Sequence, residues 1–140
     1  MMTTAQRRVS GLLRGNGLKV TRGRAEVLNL FLDAGRPLAQ RQIMEMLRLK
    51  LDRASVYRIL NAFVEAGIIH MAYVDVRHRV YELPDKCGGQ KCHPHFSCRG
   101  CGKTTCLEDF RVYFKGALAK GFVVERQKVL IEGLCPDCRR

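Results

Sequence analysis

No stretch of this 140-residue chain approaches the ~18 uninterrupted apolar residues that a membrane-spanning helix needs. Residues 1–17 also lack the apolar centre of a secretory signal. Together these absences predict a cytoplasmic protein with no membrane partner. Acidic residues are scarce: 13 Asp and Glu stand against 25 Lys and Arg, for a net charge of +12 and a pI near 9.8. That charge draws the protein to polyanions, with nucleic acid first among them, although a basic surface with no such role has the same composition. Cysteine is missing from the first 86 residues, then occurs seven times between Cys87 and Cys138. In the reducing cytoplasm, thiols at this density serve metal binding more readily than disulfides. The sequence has no internal repeat, no low-complexity run and no His-Glu-x-x-His constellation. A zinc hydrolase needs an open coordination position beside a base, so neither an enzyme nor a small-molecule substrate is expected.

What is present divides the chain in two. A hydrophobic content of 46% is enough to bury a core, and the cysteine asymmetry puts a boundary near Pro84. This predicts a first unit over 1–83 and a second over 84–140. In the first, residues Thr3 to Arg14 read as a basic helix ended by Gly15–Gly17. Thr21 is an N-cap for a helix through Ala34 that buries Val27, Leu28 and Phe31 and stops at Gly35. Pro37 is expected to open a helix containing Ile43, Met46 and Leu47. After Asp52, residues Val56, Ile59, Leu60, Phe63 and Val64 recur at helical spacing up to Gly67. Ile69–Tyr73 and His78–Leu83 then alternate about a turn near Asp75–Arg77, the pattern of a β-hairpin.

Three helices followed by a hairpin is the order of a winged helix-turn-helix, whose last helix enters the major groove. The polar side of the helix after Asp52 carries Arg53, Tyr57, Arg58 and Asn61. Arg58 can fork onto a guanine edge and Tyr57 can pack on a thymine methyl; the competing reading is a solvated basic face.

In the second unit, short strands are expected near His95–Cys98 and Lys103–Leu107. A helix from Asp109 follows, with Phe110, Tyr113, Phe114, Ala117 and Leu118 as its apolar stripe, then a strand from Phe122 to Ile131. A unit of 57 residues is too small to rest on its core alone, so metal and self-association are expected to stabilise it. The fold class is therefore α+β: an N-terminal winged helix-turn-helix plus a small C-terminal α/β dimerisation domain with a four-cysteine zinc site.

Cys98-Arg-Gly-Cys101 and Cys135-Pro-Asp-Cys138 are two Cys-x-x-Cys knuckles. One turn of backbone aims two thiolates at one ion, and four thiolates in a tetrahedron hold Zn²⁺ with no open position, which makes a structural site. A redox dithiol is the competing reading. His70, Glu82, Cys87, Cys92, His93, His95 and Cys106 remain as candidates for a second site, and His93 and His95 share one face of a strand and can reach one ion.

Taken together, Gly17-Leu-Lys-Val-Thr-Arg22, Ala54-Ser-Val-Tyr-Arg-Ile-Leu-Asn61, Gly67-Ile-Ile-His70, the run Cys92 to Lys103, and Cys135-Pro-Asp-Cys138 resemble the ferric uptake regulator family over nearly the whole chain. The resemblance implies a homodimeric repressor that binds an A·T-rich inverted repeat in double-stranded DNA when its sensing site is metallated. It implies that Tyr57 and Arg58 lie on the recognition helix, that Lys19 reaches the minor groove, and that Cys98, Cys101, Cys135 and Cys138 hold structural zinc.

The sequence departs from the iron-type members of that family: Pro94 stands in place of an aspartate, and Tyr113 and Gln127 fall where a glutamate and a histidine ligand are usual. The resemblance to the zinc uptake subgroup implies a regulatory set of His70, Cys87, His93 and His95. Glu82 and Cys106 match a second family site in which Cys106 replaces a glutamate, and Cys92 is a further candidate. Soft thiolate favours zinc over ferrous iron or manganese. The expectation is a zinc-sensing repressor, with Fe²⁺ or Mn²⁺ sensing, or a thiol- or peroxide-responsive regulator built on Cys87, Cys92 or Cys106, as the alternatives.

Overall fold

The computed structural model describes residues 1–74, 78–84, 93–113, 116, 118–124 and 128–139. Helix α1 spans Thr4–Gly15 and is closed by a reciprocal cap, with the Gln6 amide donating to Thr3 Oγ1 at 3.2 Å and the Thr3 amide to Gln6 Oε1 at 2.8 Å. Helix α2, Arg22–Ala34, starts where Thr21 Oγ1 accepts the Arg24 amide and ends at Gly35, whose φ of 58° is the left-handed conformation glycine adopts without strain. Helix α4, Arg53–Glu65, is capped by Asp52, whose carboxylate accepts the Ser55 amide at 2.6 Å. Those Ser55 side-chain and backbone hydrogen bonds favour the ionised carboxylate and hold the Asp52 pKa below its ordinary value.

The segment after Pro37 differs from the sequence expectation. Leu38–Ala39 form a two-residue strand, β1, and the short helix α3 occupies only Gln40–Met46, with Leu47 as its C-cap. The reason is long-range: Leu38 and Ala39 pair with Tyr81 and Val80 of strand β3, Arg79–Glu82, which also pairs with strand β2, His70–Val74. The first sheet therefore runs β1-β3-β2, all antiparallel.

Side chains alternate across a strand, and β3 uses both of its faces. Tyr81 packs into the helical core with Val9, Leu13, Val27, Leu28, Phe31, Ile43, Val56, Leu60 and Phe63, whereas Val80 joins Ala39, Ala72 and Tyr73 on the other side. Against that second face lies another sheet, ordered β5-β4-β6: β4 is His95–Cys98, β5 Thr104–Cys106 and β6 Leu130–Gly133. Leu130 packs on the Val80 cluster, and the Tyr73 hydroxyl donates to Ser97 Oγ at 3.3 Å and lies 3.1 Å from Thr104 Oγ1.

Among the described residues, the helix expected from Asp109 is not formed. Asp109 lies in a turn, residues 110–113 are irregular, and Phe110, Tyr113 and Leu118 are exposed; Phe114 and Ala117 of the expected stripe lie outside the described residues. Of the strand expected over Phe122–Ile131, Leu130 and Ile131 fall in β6, Phe122, Val123 and Val124 are irregular and exposed, and residues 125–127 lie outside the described residues. A short amphipathic helix is marginal in water without a surface to cover its stripe, and the described side chains Phe110, Tyr113 and Leu118 stay half or more exposed.

Candidate metal centres and nucleic-acid interface

Helix α4 buries Val56, Leu60 and Phe63 completely, which turns Arg53, Tyr57 and Arg58 outward, with Asn61 half-buried beside them. Arg58 is steadied by a hydrogen bond from its Nη2 to Ser55 Oγ at 3.1 Å. Lys19 is exposed on the loop before α2, where its carbonyl accepts Arg24 Nη1 at 3.1 Å. The sequence reading missed one residue on this side: Arg79 of β3, whose guanidinium carbon stands 5.1 Å from the centre of the Tyr57 ring. Hydrogen bonds from Asn61 and then Arg79, with the Arg79 charge, favour the phenolate and lower the Tyr57 pKa. Residue 79 lies 22 positions from Tyr57, and no local pattern links them.

The two knuckles meet because β4 and β6 are parallel neighbours, with Cys98 opposite Gly133. The chain leaves both strands at the same end, so Cys101 and the Cys135–Cys138 turn close over Cys98. All four sulfurs lie within 4.8 Å of one another, and Cys101 Sγ is 3.8 Å from Cys135 Sγ. The edge of a tetrahedron with ~2.3 Å zinc–sulfur bonds is about 3.8 Å. The Cys135 amide donates to Cys98 Sγ at 3.3 Å, and that bond, ahead of the Cys101 amide, brings the Cys98 thiol down to about 6. Cys138 is pushed up to about 12 by hydrogen bonding among the Cys135, Cys101 and Cys98 sulfurs. Four packed thiols cannot all ionise beside one another unless a cation joins them, so the donor set fits Zn²⁺. Gly100 is required here, since a Cβ on it would lie 2.9 Å from Cys138 Cβ and 3.0 Å from its sulfur.

A second cluster forms where the two sheets face each other. In the β2–β3 register His70 is opposite Glu82, and in the β4–β5 register His95 is opposite Cys106. Glu82, only 1% exposed, sits at the centre: its Oε1 is 2.8 Å from both His70 Nε2 and His95 Nε2, and its Oε2 accepts the Cys106 thiol at 3.0 Å. His93 Nε2 lies 4.0 Å from Glu82 Oε2, too far for a hydrogen bond, and is buried with no partner. Burial, partly offset by the Glu82 charge, lowers the His93 pKa and so favours the neutral ring. The ligand atoms of Glu82, His93, His95 and Cys106 lie within 4.8 Å of one another. A buried imidazole nitrogen without a partner, beside a carboxylate, a second imidazole and a thiol, fits a divalent cation. A cleft of about 270 Å³ lined by His93, His95 and Lys128 opens onto the cluster.

Of the expected regulatory ligands, the structure brings His93 and His95 together, with His70 reaching them through Glu82. Glu82 and Cys106, expected only as further candidates, are central. Cys87 and Cys92 lie outside the described residues, as does Gln127.

The sequence pattern of the ferric uptake regulator family matches residues 15–121. Over 135 residues the chain is 30% identical to the ferric uptake regulation protein of Bordetella parapertussis, covering 91% of this chain and 94% of that protein. It is 31% identical to the protein of the same name from Neisseria meningitidis serogroup A, covering 91% and 90%. Among solved structures, the ferric uptake regulator of Francisella tularensis with iron superposes with a TM-score of 0.64 at 27% identity, covering 89% of this chain and 96% of that one. With its α+β winged-helix fold, its exposed basic helix face and its two Cys/His-rich clusters, this chain belongs to the ferric uptake regulator family, whose members are metal-responsive transcription regulators that bind DNA as dimers and are not enzymes.

Proposed function

We propose that this regulator senses zinc: it represses as a homodimer on an A·T-rich inverted repeat, acts in the cytoplasm, and carries one structural and one regulatory zinc per chain. The carrying observation is the donor set at the second cluster. The Cys106 thiol lies against Glu82, with His95 beside it and the unpartnered Nε2 of His93 nearby. Thiolate and imidazole donors favour zinc over the oxygen-rich ligation of manganese or ferrous iron. Cys98, Cys101, Cys135 and Cys138 would hold the structural ion.

In this reading the chain comprises units 1–83 and 84–140, and the regulatory ligands come from both. His70 and Glu82 lie on the first sheet; His93, two residues before the start of β4, and His95 and Cys106 of the second sheet come from the other unit. Shared ligation would fix the angle between the units, and with it the distance between two copies of α4 on two half-sites. Arg53, Tyr57, Arg58 and Asn61 would meet the major groove, and Lys19 the minor groove. The exposed Phe110, Tyr113 and Phe122 supply apolar surface for pairing of two chains.

Ferrous iron is the second reading, favoured by the similarity to ferric uptake regulation proteins. The test is to count metal per reduced chain before and after mild chelation, then measure DNA binding as zinc, ferrous iron or manganese is returned. Two zinc ions, of which the labile one restores DNA binding at lower free concentration than the other metals do, is the expected outcome. A single resistant zinc with binding restored by ferrous iron would overturn zinc sensing. Switching by mild peroxide at constant metal would point instead to thiol chemistry at Cys106.

A further inference from the structure

We infer that Arg79 is a positioning residue for Tyr57, holding the phenol ring on the DNA-facing side of α4 in one orientation. The inference rests on the proposal above that Tyr57 reads bases. Tyr57 is 37% exposed on a helix surface, where an unsupported ring samples several rotamers. Two neighbours can restrain it: Asn61, one turn along the same helix, and Arg79, whose guanidinium lies over the ring at 5.1 Å.

The two restraints differ in kind. Asn61 rides on the same helix as Tyr57, so it cannot fix that helix relative to anything else. Arg79 belongs to the wing, and its strand is pinned on both edges, by Leu38 and Ala39 on one side and by Met71, Tyr73 and Val74 on the other. The three residues after it, Val80, Tyr81 and Glu82, are all buried. An exposed cation on an otherwise buried, doubly paired strand is a rigid mount. A guanidinium stacked on an aromatic face also keeps its charge while sharing the ring's electron-rich surface. Ordering the ring before DNA arrives removes that entropy cost from the binding step. Arg79 therefore acts through Tyr57, and the base that Tyr57 meets is read more sharply for it.

The probe is a DNA duplex selected from a random pool by the metal-loaded wild-type chain, alongside copies in which each thymine is replaced in turn by uracil, which lacks the 5-methyl group. Wild type should bind at least one uracil copy more weakly, and Tyr57→Ala should erase that difference. Arg79→Gln should weaken binding by about three-fold to ten-fold and lose most of the methyl discrimination. Arg79→Lys should recover part of both, while metal content and thermal unfolding stay unchanged. In a Tyr57→Ala background, Arg79→Gln should add less than about two-fold, and the salt slope should not move.

An additive loss with a shallower salt slope would overturn the inference, because Arg79 would then be an independent phosphate contact. Full methyl discrimination in Arg79→Gln would overturn it too, while leaving Tyr57 as a base reader. If Tyr57→Ala leaves the methyl dependence intact, the base-reading role fails and the Arg79 inference falls with it.

Discussion

Val56, Leu60 and Phe63 in the first half of the chain are 0% exposed, whereas Phe110, Tyr113 and Phe122 in the second half stand 50%, 84% and 71% open to water. Among the described residues beyond Pro84, Cys98 is the only buried hydrophobic side chain, and its thiol belongs to a Cys-x-x-Cys knuckle. The buried histidine and threonine of that half, His95 and Thr104, are sealed against the first sheet. One half is thus held by apolar burial along four helices and a sheet. Among its described residues the other carries thiol and imidazole clusters and leaves Phe110, Tyr113 and Phe122 outward. The difference teaches where control can be exerted: a core of Leu and Phe does not respond to metal concentration, but a fold resting on ligand clusters does.

The largest effect that sharpens this contrast comes from removing the knuckle metal. Strong chelation of the reduced protein, or Cys98→Ser, should unfold residues 84–140 while amides of α2 and α4 stay protected, because structural zinc contributes on the order of 10 kcal/mol in small domains. Hydrogen exchange followed by peptide gives the readout, and simultaneous loss of protection in both halves would break the comparison. Next comes Phe63→Ala in the helical core, expected to cost about 3–5 kcal/mol whether or not metal is bound; urea unfolding with and without chelator measures it. Glu82→Gln is milder. It should keep the fold and the four-cysteine zinc but lower affinity at the second cluster by about ten-fold to a hundred-fold, as seen by competitive metal titration and metal-dependent DNA binding. Gly100→Ala should weaken the knuckle by about 1–3 kcal/mol through its clash with Cys138, read as faster zinc loss to a chelator.

The smallest effect concerns the α4 cap. The Asp52 pKa is lowered on folding, so its contribution is fully present above the unfolded value of 3.8 and fades as pH falls through the folded one. Asp52→Ala should therefore lower Tm by a few degrees near neutral pH and by less in acid, while Asp52→Asn, which keeps the cap at every pH, should remove that pH dependence.

Much of the winged half was legible from short-range pattern. Thr21 and Asp52 start their helices, Gly35 ends α2, and the buried faces of α2 and α4 follow the apolar spacing. The hairpin strands were also legible, within a residue or so at their ends. Leu38–Ala39 were not, because their partner lies some 40 residues on, and a strand of two residues carries no periodicity. The knuckles announced themselves by spacing alone. At the second cluster the residue types were visible, but the centrality of Glu82 was not: a lone glutamate at a strand end looks like surface until a second sheet covers it. Arg79 was missed because its partner Tyr57 lies 22 positions away on another element.

The stripe Phe110, Tyr113, Leu118 shows the opposite error. Its spacing reads as helix, yet spacing specifies only which side chains would align, and in this chain no surface buries them.

What the sequence determined by itself was therefore everything set by neighbours within one helical turn or one hairpin: the caps, the apolar faces, the paired thiols and the basic outer side of α4. Only the tertiary structure decided which side of β3 meets which half of the protein. A strand has two faces, and their fate depends on what packs on each. Tyr81 entered the helical core and Arg79 reached Tyr57, while Val80 and Glu82 turned toward the second sheet. One four-residue strand thus runs between the Glu82 cluster and helix α4.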